Sequence, residues 1–140
     1  MLNTIRNRYW LPTIKAAIKL TEANSAGAVS QLESTLGYEL ADGYPLDPLY
    51  PAYVRGQAYL LSRDGVSAAV EFQKILDHRG LVGNSVIGAL ALLQLGRAYV
   101  LSGDRSKAKA AYQDFLTLWK DADPDIPILK EAKAQYTKLQ

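Results

Sequence analysis

Few residues of the types that catalyse reactions are present, and their surroundings decide what they do. The chain contains no cysteine and one histidine, His78, which follows Asp77. A histidine beside a carboxylate acts as a general base only where a nucleophile and a pocket are also present, and the sequence supplies neither. A histidine at the end of a helix is instead favoured by the helix dipole. We therefore assign no catalytic residue and expect no enzyme activity.

Two further patterns resemble ligand sites only in part. Asp121, Asp123 and Asp125 alternate as in a calcium loop, but the glycine and the closing glutamate of such a loop are missing. The glycines between positions 80 and 88 lack the spacing of a phosphate-binding loop. Turn and cap chemistry explains the aspartates, and a flexible connector explains the glycines. We expect no metal site and no cofactor.

Composition places the chain among ordinary globular domains. Its 140 residues are 49% hydrophobic and carry a net charge of +2, which suits one domain over residues 1–140 and gives no reason to expect nucleic-acid binding. The longest apolar run, Val86–Leu95, is shorter than the ~18 residues that a membrane-spanning helix needs. With no apolar signal core near the start, we expect a cytoplasmic protein that does not insert into membranes.

The helices that would position a functional site are predicted from a sequence pattern that recurs along the chain. Two segments 40 residues apart carry the same pattern of glycine, tyrosine, alanine and aromatic residues. Since this register is kept through a polar turn, each segment is predicted to form two antiparallel helices joined by a short link. The matching pairs are Gly56 and Gly96, Ala58 and Ala98, Tyr59 and Tyr99, Asp64 and Asp104, Ala68 and Ala108, and Phe72 and Tyr112.

A weaker third copy lies upstream, where Ala16 and Ala28 take the small-residue positions. At the other end, Leu129, Ala132, Tyr136 and Leu139 form one apolar stripe, typical of a helix that caps a repeat array. The prediction is an all-α fold of about three stacked antiparallel helical hairpins with a C-terminal capping helix. The expected hairpins are Pro12–Leu36, Ala52–Asp77 and Ser85–Trp119, and the expected cap is Ile126–Leu139.

These residues resemble the tetratricopeptide repeat. The third hairpin matches its pattern well, whereas the second has Arg55 where leucine is usual, and the spacing of 40 exceeds the usual length of about 34. The resemblance implies an α-helical solenoid that binds proteins. The residues of the third hairpin that follow the pattern are Leu92, Leu95, Gly96, Tyr99, Ala108, Tyr112 and Phe115.

A narrower resemblance covers roughly residues 50–139. This part is similar to the C-terminal repeat region of bacterial eukaryotic-like serine/threonine kinases, and related regions follow DNA-binding domains in some bacterial regulators. The glycine-rich loop, H-R-D and D-F-G motifs of a kinase are absent. The resemblance implies a partner- or signal-sensing scaffold. The segments that carry it include YPAYVRGQAYL, AAVEFQKILDHRGLV, GALALLQLGRAY and AAYQDFLTLWKDADPDIPIL.

A partner-binding surface is expected on the first helices of the second and third hairpins. If Gly96 and Tyr99 face the paired helix, Arg97 must point elsewhere, where it would hold a carboxylate of a protein or peptide partner. The alternative is that Arg97 pairs with a nearby acid such as Asp64 or Glu71, or simply lies in solvent. The expected stripe consists of Tyr53, Gln57, Leu60, Leu93, Arg97 and Val100.

Other interpretations remain open. The chain is alternatively a self-associating structural module, because the uncapped first hairpin has an apolar face that a second copy would cover in a homodimer. Tyr44 and Tyr50 lie near prolines outside the repeat pattern, where aromatic side chains either line a peptide groove or pack the link against the helices.

Overall fold

The structure, a computed structural model, describes residues 2–41 and 49–140. The predicted all-helical fold is confirmed, and these residues contain no β-strand. In chain order the α-helices are α1 (Leu2–Ile5), α2 (Leu11–Thr21), α3 (Ser25–Gln31), α4 (Tyr50–Leu61), α5 (Gly65–Asp77), α6 (Arg79–Val82), α7 (Val86–Leu101), α8 (Arg105–Leu118) and α9 (Pro127–Thr137).

The first helical segment changes its winding before a proline. Between α1 and α2 the residues Arg6–Trp10 form a π-helical turn. Pro12 has no backbone N–H to donate to the carbonyl of Arg8, four residues earlier, so the α-helical ladder is interrupted there. The Oγ of Ser34 donates to that carbonyl instead, at 3.2 Å. This hydrogen bond connects Ser34, which follows α3, to the first helical segment.

The turns inside the three hairpins share one geometry, repeated every 40 residues. In each turn a residue with positive φ is followed by a residue whose side chain accepts a hydrogen bond from the backbone N–H three positions later, which caps the second helix. The residues with positive φ are Ala23, Arg63 and Gly103. The capping residues are Asn24, Asp64 and Asp104. The weaker upstream copy therefore has the same turn as the other two.

Close approach of the paired helices depends on the glycines of the repeat. A Cβ atom added to Gly56 would lie 2.6 Å from the ring of Phe72, and one added to Gly96 would lie 2.9 Å from the ring of Tyr112. Each aromatic ring occupies the space that a larger residue would need, so the matched pairs pack as the repeat pattern predicts.

Three buried clusters join the hairpins in chain order. The first lies between α2, α3 and α4 and contains Ala16, Leu32 and Val54. The second lies between α4, α5 and α7 and contains Phe72. The third contains Phe115 and lies between α7, α8 and α9. Each hairpin therefore packs on its neighbours along the chain, and α9 closes the core of the last one.

The link after α5, whose glycines were interpreted as a flexible connector, contains the short helix α6. Gly80 lies inside α6. The positive φ belongs to Gly83, which ends α6 at φ 55°. Ser85 is at the N-cap of α7 and makes no side-chain capping bond.

Candidate functional site

The six residues of the expected stripe do not form one exposed surface. Tyr53 and Leu93 are buried, and Leu93 lies in the cluster that α9 closes. Helical spacing places Leu93 one turn before Arg97, but it does not reveal that another helix covers that turn. Gln57 is half-buried on α4. The structure brings together the remaining three, Leu60, Arg97 and Val100.

Tyr53 packs inside the stack of helices. Its hydroxyl accepts a hydrogen bond from Nε2 of Gln94 at 3.1 Å, and its ring contacts Phe72 edge-on at 5.7 Å between centroids. Burial raises the pKa of Tyr53 above its ordinary value, although the hydrogen bond from Gln94 opposes the shift. The residue therefore joins α4 to α5 and α7 and presents little surface to a partner. Tyr50 is more exposed, and Tyr44 lies outside the described residues.

The guanidinium of Arg97 is held by three side chains. Nε donates to Oε1 of Gln135 at 3.0 Å, Nη1 donates to Oε1 of Gln94 at 3.3 Å, and Nη2 donates to Oε2 of Glu131 at 3.0 Å. Arg97 therefore pairs with an acid, as the alternative interpretation expected, but this acid is Glu131 of α9 and is neither Asp64 nor Glu71. Because Glu131 is 63% exposed, water reaches this ion pair.

Beside Arg97 lies an open groove of about 390 Å³, here named the Arg97 groove. The hydroxyl of Tyr112 donates to Oε1 of Gln135 at 2.9 Å and fixes one part of the wall. The described lining residues include two cations and no carboxylate. Chemically, the groove combines apolar area with positive charge. Its lining includes Leu60, Arg97, Val100, Leu101, Lys138 and Leu139.

A largely buried cluster of four charged side chains, of which Lys74 is half-buried, lies where the first two hairpins meet. Arg55 donates to Glu39 and, at 2.9 Å, to Glu71, while Nζ of Lys74 lies 3.3 Å from Glu39 and 3.1 Å from Glu71. Thr35 also donates to Glu39 at 2.9 Å. The cluster ties the link before α4 to both helices of the second hairpin.

Opposing effects set the ionisation of this buried cluster. Burial alone would raise the pKa of Glu39, but the hydrogen bond and charge of Arg55, the charge of Lys74 and the hydrogen bond of Thr35 together outweigh it, and the pKa is lowered. For Arg55, burial opposes the charged form, while Glu39 and Glu71 raise the pKa above its ordinary value. Both groups are therefore charged in the folded protein at neutral pH. Arg55 departs from the leucine that is usual at its repeat position, but its acidic partners lie 16 residues away in each direction and were not predicted.

The remaining candidate ligand residues lie apart from the Arg97 groove. Nδ1 of His78 lies 2.8 Å from the carbonyl oxygen of Lys74, and His78 occupies the C-cap of α5. Oδ1 of Asp123 accepts from the backbone N–H of Asp125 at 2.9 Å, as expected for turn chemistry. Within residues 2–41 and 49–140, no three His, Cys, Asp or Glu side chains converge in a way that would hold a metal ion.

In the part of the chain that the structure describes, no helix has the length and apolar character needed to cross a bilayer. Searches of protein-family models, of curated proteins and of solved structures found no match to the chain, so its relation to the tetratricopeptide repeat stays a prediction from the residues quoted above.

Proposed function

We propose that the chain is a non-catalytic scaffold that binds a protein or peptide partner in the Arg97 groove. One observation carries the proposal: two cations, Arg97 and Lys138, border an apolar groove whose described lining contains no acid. Apolar side chains supply contact area, and a guanidinium recognises a carboxylate with directed hydrogen bonds. The expected partner segment is therefore apolar and carries either an acidic side chain or a free C-terminal carboxylate.

The surroundings of Arg97 support a carboxylate as the recognised group. Glu131 already supplies one, and an exposed ion pair of this kind contributes at most about 1 kcal/mol. A partner carboxylate would replace it at low cost. Gln94 and Gln135 would keep the guanidinium oriented during the exchange, because they hold its other nitrogens. Such pre-organisation reduces the entropy lost on binding.

The wider assignment is part of the same proposal. We place the chain among tetratricopeptide-type solenoids, as the repeat portion of a larger bacterial signalling protein such as a serine/threonine kinase. The 40-residue repetition of turn and cap supports the repeat, and the segments quoted from residues 50–139 support the kinase relation. The alternative parent is a bacterial transcriptional regulator, in which the same scaffold would follow a DNA-binding domain.

Short synthetic peptides of defined chemistry test the groove. Leucine-rich peptides with one glutamate or a free C-terminal carboxylate are titrated into the protein by isothermal calorimetry. Each is compared with a version in which glutamine or a C-terminal amide removes the charge. We expect the acidic peptides to bind more tightly, and Arg97→Ala to weaken their binding by about 1.5–3 kcal/mol, the usual contribution of a hydrogen bond to a charged group.

Two further variants make this result specific. Lys130→Ala removes the same charge from α9, but Lys130 pairs with Asp125 and does not line the Arg97 groove, so binding should hardly change. Glu131→Gln removes the internal competitor and should tighten binding. Equal binding by the Arg97→Ala and Lys130→Ala variants, or equal affinity for charged and uncharged peptides, would contradict the proposal.

A further inference from the structure

A second surface lies on the outer side of the first hairpin, far along the chain from the Arg97 groove. Three large aliphatic side chains of α2 are exposed there at helical spacing, Leu11 at 40%, Ile14 at 55% and Ile18 at 52%. We name these three residues the α2 face. Two of them, Ile14 and Ile18, border a groove of about 370 Å³ together with the neighbouring rings of Trp10 and Tyr50.

The repeat register indicates what kind of surface the α2 face is. Ile14 and Ile18 correspond, 40 residues later, to Val54 and Ala58, which are buried against the preceding hairpin. Leu11 corresponds in the same way to the buried Pro51. One repeat further on, the equivalent positions are again buried; they are Ala91, Gln94 and Ala98. The α2 face is therefore a stacking face that continues the interface already formed between neighbouring hairpins.

The detailed shape of the α2 face fits a second copy of itself. Trp10, Ile14 and Ile18 are spaced four residues apart and form a ridge of large side chains. The next row, Thr13, Ala17 and Thr21, has the same spacing and small side chains, and it lines the groove beside the ridge. Two helices that each have a ridge next to a groove can interlock, with the ridge of one helix in the groove of the other.

The opposite end of the repeat array offers no apolar match for this face. There α9 turns its apolar side inward, and exposed charged residues such as Lys130, Glu131 and Lys133 cover its outer side. A head-to-tail contact would bury these charges against aliphatic side chains, which is costly. Face-to-face contact between two first hairpins buries aliphatic side chains on both sides, and its two-fold symmetry closes after two copies.

We propose that two copies of this chain associate through their α2 faces, so that Ile14 and Ile18 of each copy enter the groove beside Ala17 of the other. The charges near the contact make the strength of dimerisation depend on salt concentration. The sequence up to Thr21 contains four cations and no acid, and one of these cations, Lys19, pairs with Glu22 at 2.6 Å. Arg6, Arg8 and Lys15 still leave a net positive charge on this side of each copy, so the two copies repel each other outside the apolar contact. Because salt screens this repulsion, the dimer becomes tighter as the salt concentration rises, whereas binding of an acidic partner becomes weaker.

Sedimentation equilibrium over a range of protein concentrations, at low and high salt, tests the association. We expect a reversible dimer for the unchanged protein, tighter at high salt. Ile18→Glu places a charge in the contact and should leave a monomer at every concentration. Val70→Glu is the matched control, because Val70 is 61% exposed on α5, away from the α2 face, and this variant should dimerise like the unchanged protein.

Cysteine cross-linking gives a second readout, because the chain has no cysteine of its own. Ala17→Cys should form a disulfide-linked dimer under mild oxidation, whereas Ala110→Cys, on the exposed side of α8, should not. A monomeric unchanged protein, dimerisation by Ile18→Glu, or equal cross-linking of both cysteine variants would overturn the proposal. The Arg97→Ala variant should dimerise normally. The dimerisation proposal and the peptide-binding proposal can therefore be refuted separately.

Discussion

Replacing Glu39 by glutamine tests whether the buried charge cluster holds the first two hairpins together. Glu39 is almost fully buried and accepts from Arg55, Lys74 and Thr35. Removing one partner of a buried ion pair typically costs about 3–5 kcal/mol, because the remaining charge stays buried without compensation. Arg55 keeps its bond to Glu71, so we expect a loss of about 3 kcal/mol, near the lower limit of that range.

The effect of Glu39→Gln should also depend on pH. The pKa of Glu39 is lowered by folding from its ordinary value of 4.5. A carboxyl group of this kind stabilises the folded state above its unfolded pKa, and that stabilisation is lost as the pH falls through the folded pKa. The difference in unfolding free energy between the unchanged protein and the variant should therefore be full near neutral pH and should shrink below about pH 4.5.

Urea denaturation followed by far-ultraviolet circular dichroism at several pH values measures both quantities. Glu131→Gln is the matched control, because it removes a carboxylate of the same type from the exposed pair with Arg97. An exposed ion pair contributes at most about 1 kcal/mol. If Glu39→Gln costs no more than Glu131→Gln, or if its cost does not change with pH, the cluster does not contribute to stability in the way we infer.

Four further changes test the packing. Ala68→Leu and Ala108→Leu overfill fully buried positions and should each cost about 1–3 kcal/mol of unfolding free energy; unchanged melting midpoints would contradict the helix register. Gly56→Ala should lower the melting midpoint because its new methyl group meets the Phe72 ring, whereas Gly37→Ala, which meets nothing within 4 Å, should not. Deleting residues 125–140 uncovers the apolar side of α8 and should cause aggregation in light-scattering measurements; a truncated chain as soluble and stable as the parent would exclude a capping role for α9.

The elements of the fold follow from short-range signals in the sequence. Polar turns at fixed spacing, such as those before Asp64 and Asp104, mark the helix ends, and α4, α5 and α7 to α9 lie within about two residues of the expected ranges. The exception is α3, which ends at Gln31 although the first hairpin was expected to reach Leu36. The packing of Gly56 on Phe72 also follows from the repeat, since both positions recur 40 residues later. Local spacing and caps are sufficient for these features because they are encoded within a single hairpin.

The candidate site depends on contacts that no local pattern encodes. Helical spacing placed Leu93 beside Arg97 on one stripe, but the position of α9 decides that Leu93 is buried and Arg97 is paired. In the buried cluster, Arg55 lies 16 residues from each of its acidic partners, Glu39 and Glu71. Such partners come together only after hairpins have stacked, so the sequence pattern alone could not identify them.

Because each hairpin contacts mainly its neighbours along the chain, folding needs few closures of long loops. Proteins with such local contacts usually fold fast. The first hairpin is held by the small cluster around Ala16 and Val54 and by Glu39 of the following link. Protonation of Glu39 would therefore loosen the first hairpin before the other two. Amide hydrogen exchange in α2 and α3, corrected for intrinsic rates, should then speed up at acidic pH, while α7 and α8 remain protected.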